Sequence, residues 1–75
     1  MQVNMPSKLA ETFGERVKNR RTVLGLTQAD LAEKIGIHRP DLSDIENGKH
    51  SPTLETVEKI AKALGVPPSC LVEEH

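Results

Sequence analysis

The sequence predicts an all-α fold of five short helices. Three observations carry that prediction. Phe13 is the only aromatic residue in 75, so the core has to be built from Leu, Ile, Val and Ala, which suits packed helices better than a small sheet. Apolar residues recur at helical spacing, as in Leu9, Phe13, Val17 and Leu24. Glycines stand just past the apolar stripes, at Gly25, Gly36 and Gly65, where a helix commonly ends on a left-handed residue.

The elements follow in order. Residues 1–6 show no periodic pattern and are expected to be a flexible N-terminus ahead of a single domain over 7–75. Ser7 offers an N-cap for a helix over about 7–24, which stops at Gly25 with Leu26 folding back. Thr27 caps a second helix, 28–35, with Asp30 in its first turn and Leu31, Ala32 and Ile35 on its buried face. After Gly36, a third helix is predicted over 39–46, with Pro40 tolerated in the first turn and Leu42 and Ile45 inward. Asn47-Gly48 signals a turn that continues through Lys49, His50, Ser51 and Pro52. A fourth helix, 53–64, opens at Thr53 and buries Leu54, Val57, Ile60, Ala61 and Leu64. A last short helix over 68–73 carries Leu71 and Val72.

Composition excludes several classes of function. The one cysteine, Cys70, allows no internal disulfide, and with His38, His50 and His75 scattered there is no metal-ligand spacing, so no metal or other cofactor is expected. Cys70 is read as a small buried hydrophobe. MQVNMP lacks the pattern of a signal peptide and no stretch suits a bilayer, so a cytoplasmic protein without membrane contact is expected. His38, Ser43 and Asp44 have the residue types of a hydrolase triad. They lie within one short stretch with no oxyanion device, so the protein is not expected to be an enzyme. A net charge of −1 argues against binding nucleic acid by bulk charge. Distribution matters more: Arg16, Lys18, Arg20 and Arg21 crowd one stretch and Lys49 with His50 form a second, which allows a local basic face. By default Arg16, Lys18 and Arg20 form a solvated helix face.

The segment Gln28 to Ile45 has the spacing of a helix-turn-helix. Ala32 lets two helices approach closely, Gly36 permits the left-handed turn between them, and Ile37, Leu42 and Ile45 anchor the second helix so that its opposite face projects into solvent. With RVKNRRTVLGLTQADLAEKIGI in its first half and LSDIENGKHSPTLETVEKIAKALGV in its second, the chain resembles the Cro/CI-type (XRE) family, which includes the lambdoid phage repressors. The resemblance runs from about Phe13 to Leu71 and implies a compact five-helix, lambda-repressor-like DNA-binding domain.

By that resemblance, Arg39, Pro40, Ser43 and Asp44 face DNA bases. Thr27, Gln28, Asn47 and Lys49, together with the backbone amides around Gly48, face phosphates, and Gln28 also braces the third helix. Arg21 and Glu46 match a structural ion pair. Two features depart from the family pattern: Pro40 donates no hydrogen bond, and Asp41 and Asp44 bring negative charge to the exposed face.

The function implied is a sequence-specific transcriptional regulator, a repressor, acting as a homodimer on a palindromic operator of double-stranded DNA. Its half-sites would lie roughly 34 Å apart. With no room for a separate dimerisation domain in 75 residues, Leu64, Val66, Leu71 and Val72 are the candidate dimer surface. The alternative is a protein-interaction module, antitoxin-like or an adaptor, whose acidic third helix binds a basic partner such as a toxin or a component of the transcription machinery. Gln28→Ala is expected to weaken binding to all sequences, and Ser43→Ala or Asp44→Ala to relax preference at one base pair.

Overall fold

A computed structural model describes residues 7–72, apart from the side chain of Ser7. The expectations for 1–6, for Ser7 as a cap and for residue 73 in the last helix lie outside what is described. Among the described residues five helices follow one another: α1 (Ser7–Val23), α2 (Gln28–Ile35), α3 (Arg39–Glu46), α4 (Leu54–Leu64) and α5 (Ser69–Val72). No strand occurs among the described residues. None of the helices is long and apolar enough to cross a membrane.

Local chemistry sets the boundaries. At the end of α1 the amide of Gly25 donates to the carbonyl of Thr22 and that of Leu26 to Arg21, both at 3.0 Å, so the chain reverses within two residues. Thr27 and Asp30 then form a reciprocal capping box: the Asp30 amide donates to Thr27 Oγ1 at 3.0 Å, and the Thr27 amide donates to Asp30 Oδ2 at 2.9 Å. Gly36 sits at φ +76°, a left-handed conformation in which a Cβ would be strained. The Ile37 amide returns to the carbonyl of Ala32 at 3.0 Å, fixing the turn between α2 and α3. Thr53 caps α4 through the amide of Thr56 at 3.2 Å, and so stands just outside the helix.

The packing builds one core. α1 rests on α3 and α5, while α2 rests on α3 and α4. Phe13, Val17, Leu31, Leu42, Ile60 and Leu64 are fully enclosed, with Ala32, Ile35, Ile45, Val57, Ala61 and Leu71 around them. Gly14 is buried where α1 crosses the end of α3, and a side chain there would collide with the backbone of Ile45 and Glu46.

Five side chains depart from the predicted core. Leu24 is 43 % exposed because α1 ends at Val23 and the chain turns away, so the helical phase of Leu24 no longer aims it inward. Leu54 is 71 % exposed, at the first residue of α4 on the edge of its apolar stripe. Leu9 is half-buried and Ala10, not predicted, is buried. Cys70 is exposed rather than buried: α5 is a single turn, and Leu71 takes its inward position.

Candidate nucleic-acid interface

α3 has one face locked and one face free. Leu42, Ile45 and Glu46 point inward and are buried. Arg39, Pro40, Asp41 and Asp44 are exposed, and Ser43 is half-buried beside them. Pro40 lies in the first turn, where no backbone donor is required, so the helix tolerates it at no hydrogen-bonding cost. His38 stands at the N-cap without a side-chain cap bond. The four residues assigned to bases therefore lie together on one short helix and are accessible.

Glu46 is the organising group behind that face. Its side chain is only 1 % exposed. Oε2 accepts from Arg21 Nε at 2.7 Å, and Oε1 accepts from Arg21 Nη2 at 3.1 Å and from Gln28 Nε2 at 3.0 Å. Arg21 also donates from Nη1 to the carbonyl of Leu26 at 2.8 Å, which ties the same guanidinium to the turn before α2. The hydrogen bond to Glu46 raises the Arg21 pKa further above its usual value, partly opposed by burial and assisted by the attraction between the two charges. A buried carboxylate thus has three donated hydrogen bonds, and no buried side-chain polar atom among the described residues lacks a partner.

Gln28 lies between this pair and the exposed face. Its amide nitrogen faces Glu46, and its oxygen accepts from Arg39 Nη1 at 3.2 Å. Thr27 beside it is exposed although its hydroxyl accepts from the Asp30 amide, and the hydrogen bonds from Thr27 hold the Asp30 carboxyl below the usual carboxylate range. Asn47 is exposed and donates from Nδ2 to Ser43 Oγ at 3.4 Å, and Lys49 is exposed two residues on.

The loop after α3 differs from expectation at its backbone. The amide of Gly48 donates to the carbonyl of Ile45 at 3.1 Å and that of Lys49 to Asp44 at 2.9 Å. Each amide has one proton, and these two are engaged in closing α3, while the side chains of Asn47 and Lys49 are exposed beside them.

Two basic residues read as a solvated face have structural partners. Arg16 Nη1 donates to the carbonyl of Cys70 in α5 at 3.0 Å, and Arg20 Nε donates to the carbonyl of Leu64, the last residue of α4, at 3.4 Å. Cations at helix C-termini satisfy carbonyls left without intrahelical partners and complement the helix dipole. The signal in the sequence was their four-residue spacing, which puts both on one side of α1. The proposed dimer surface also needs correction: Leu64 and Leu71 are 1 % and 2 % exposed inside the core, which leaves half-buried Val66 and Val72 at the surface.

Comparison with known proteins identifies the family of this fold. The helix-turn-helix family model HTH_3 matches residues 17–69. The immunity repressor protein of Bacillus phage phi105 is 44 % identical over 64 residues, covering 85 % of this chain and 44 % of the repressor. The control protein C.BamHI of Bacillus amyloliquefaciens is 37 % identical over 70 residues, covering 92 % of this chain and 86 % of that protein. The chain thus spans less than half of the phage repressor and most of the control protein. The crystal structure of the restriction-modification controller protein C.AhdI from Aeromonas hydrophila superposes with a TM-score of 0.80 at 34 % identity, over 83 % of this chain and 94 % of that one. The chain belongs to the HTH_3 (XRE) helix-turn-helix family.

Proposed function

We propose that this protein is a non-enzymatic, sequence-specific DNA-binding regulator, a repressor, that acts as a homodimer on a two-fold-symmetric operator. The observation that carries the reading is the two-sided character of α3: Leu42, Ile45 and Glu46 fasten it while Arg39, Pro40, Ser43 and Asp44 stand outward. A helix held in that way enters the major groove as a rigid reader. Arg39 is suited to the O6 and N7 acceptors of guanine, Asp44 to the cytosine amino group, Pro40 to a thymine methyl and Ser43 to either kind of edge. Thr27, Gln28, Asn47 and Lys49 flank α3 and hold the phosphates, which fixes register without reading sequence.

Dimerisation supplies affinity that one small module lacks, and Val66 and Val72 are its candidate surface. The names of the phage immunity repressor and the control protein support regulation of transcription. The deciding experiment is selection of bound duplexes from a random pool, followed by a salt titration on the enriched sequence. An enriched inverted repeat whose affinity falls steeply with salt is the expected result. A folded protein that binds no duplex at low salt overturns the proposal.

A further inference from the structure

We infer that Glu46 is a positioning residue for base recognition: through the amide of Gln28 it fixes the guanidinium of Arg39, so a buried carboxylate sets the orientation of an exposed reader. The inference rests on the proposed role of α3 in DNA binding and assigns Glu46 a task beyond closing the ion pair with Arg21.

The chemistry of the chain of contacts allows one arrangement. An ionised carboxylate accepts and does not donate. Gln28 therefore has to face Glu46 with its nitrogen, as it does at 3.0 Å, and its only acceptor, Oε1, is turned away toward Arg39, which donates to it at 3.2 Å. The orientation of a glutamine amide is normally ambiguous, but here the donor and acceptor inventory decides it. Arg21, with two donors on Glu46 and a third on the Leu26 carbonyl, holds the carboxylate in place. A long, exposed arginine with one acceptor fixed near its guanidinium loses less rotamer freedom on meeting a base edge.

Replacing Arg21 by Met and Glu46 by Leu together dismantles the relay. No buried charge is left without its partner, and Gln28 Nε2 loses the acceptor that orients its amide. The Gln28 oxygen is then no longer fixed toward Arg39, so Arg39 is released.

The test compares duplex selection and affinity for the unaltered protein, Arg39→Ala, the paired variant Arg21→Met with Glu46→Leu, and all three substitutions together, with folding of each checked by circular dichroism. Arg39→Ala identifies the base pair that Arg39 reads. The paired variant is expected to lower discrimination at that same pair about fivefold or more, within the roughly 5- to 150-fold that a bidentate contact supplies, and to have no further effect on discrimination in the Arg39→Ala background. Gln28→Met, which keeps the Arg21–Glu46 pair and removes the acceptor, serves if the paired variant does not fold. It is expected to lose discrimination at the same pair on top of any uniform weakening.

A purely structural Glu46 would change affinity equally for every base at that position, and that result overturns the inference. So does an Arg39→Ala variant with unaltered preferences. Failure of the unaltered protein to bind any duplex is a separate outcome, which overturns the DNA-binding reading itself.

Discussion

α1 passes over the end of α3 so closely that a Cβ on Gly14 would overlap the carbonyl oxygen of Ile45 and stand 2.7 Å from that of Glu46. Helix propensity and packing make opposite predictions for Gly14→Ala. Alanine in place of glycine inside a helix favours the helix by about 1 kcal/mol. The obstruction here is backbone rather than a flexible side chain, so α1 and α3 have to separate, and overpacking of this kind costs about 1–3 kcal/mol or more. Packing wins. Thermal unfolding should show a midpoint lowered by roughly 5–15 °C. A raised midpoint would mean that the crossing is looser than the structure has it.

The same crossing brings Glu46 to Arg21, and that pair predicts an asymmetry between single and double substitution. Arg21→Met leaves a carboxylate that is 1 % exposed with Gln28 as its remaining side-chain donor, and a loss of about 3 kcal/mol is expected. The double variant Arg21→Met with Glu46→Leu removes both charges and fills the space with apolar atoms, so it should be more stable than the sum of the single losses by about 1 kcal/mol or more. Chemical denaturation of the four proteins measures the coupling. Strict additivity would show that the contact contributes nothing.

The capping box of α2 predicts a pH dependence. Hydrogen bonds from the Thr27 backbone and side chain lower the folded-state pKa of Asp30 below its unfolded value. Its contribution to stability is therefore complete above the ordinary carboxylate range and is lost as pH falls through the depressed folded value. Asp30→Asn removes the charge at every pH. Unaltered protein and variant should differ in thermal midpoint at neutral pH and converge in acid, below the folded pKa of Asp30. A difference that persists undiminished in strong acid would assign the effect to side-chain shape instead of charge. Thr27→Ala removes the hydroxyl acceptor and should cost about 1 kcal/mol at neutral pH.

Much of this fold was legible in the sequence because its signals are local. Gly25, Gly36 and Gly65 mark helix ends through backbone conformation, Thr27 and Thr53 mark helix starts through hydrogen bonds spanning three residues, and the stripes of α2 to α4 follow from spacing. What was illegible depends on partners distant in sequence. The need for glycine at position 14 arises from Ile45 and Glu46, and the tasks of Arg16 and Arg20 arise from carbonyls of Cys70 and Leu64. At the candidate site the outward residues of α3 could be named from the resemblance. The link from Glu46 through Gln28 to Arg39 required the geometry. Leu64 and Leu71 failed as surface residues for a related reason: periodicity marks an apolar face but does not say whether this chain or a second copy covers it.

That distinction yields a prediction at the C-terminal end. Cys70 is exposed, whereas Leu71 beside it is 2 % exposed and part of the core. A thiol reagent should modify Cys70 rapidly in dilute, folded protein, because the residue is exposed. Leu71→Ala should destabilise the domain by about 2–4 kcal/mol, as expected for a buried leucine. Val72→Asp, by contrast, alters a half-buried position at the rim and should act mainly on self-association, lowering the apparent mass in sedimentation while the helical spectrum is retained. If the surface around Val66, Cys70 and Val72 is where two copies meet, labelling of Cys70 should slow as protein concentration rises, and Val72→Asp should abolish that slowing. Labelling that stays fast at concentrations where sedimentation shows a dimer would move the dimer interface elsewhere, with exposed Val23, Leu24 and Leu54 the next apolar positions to test.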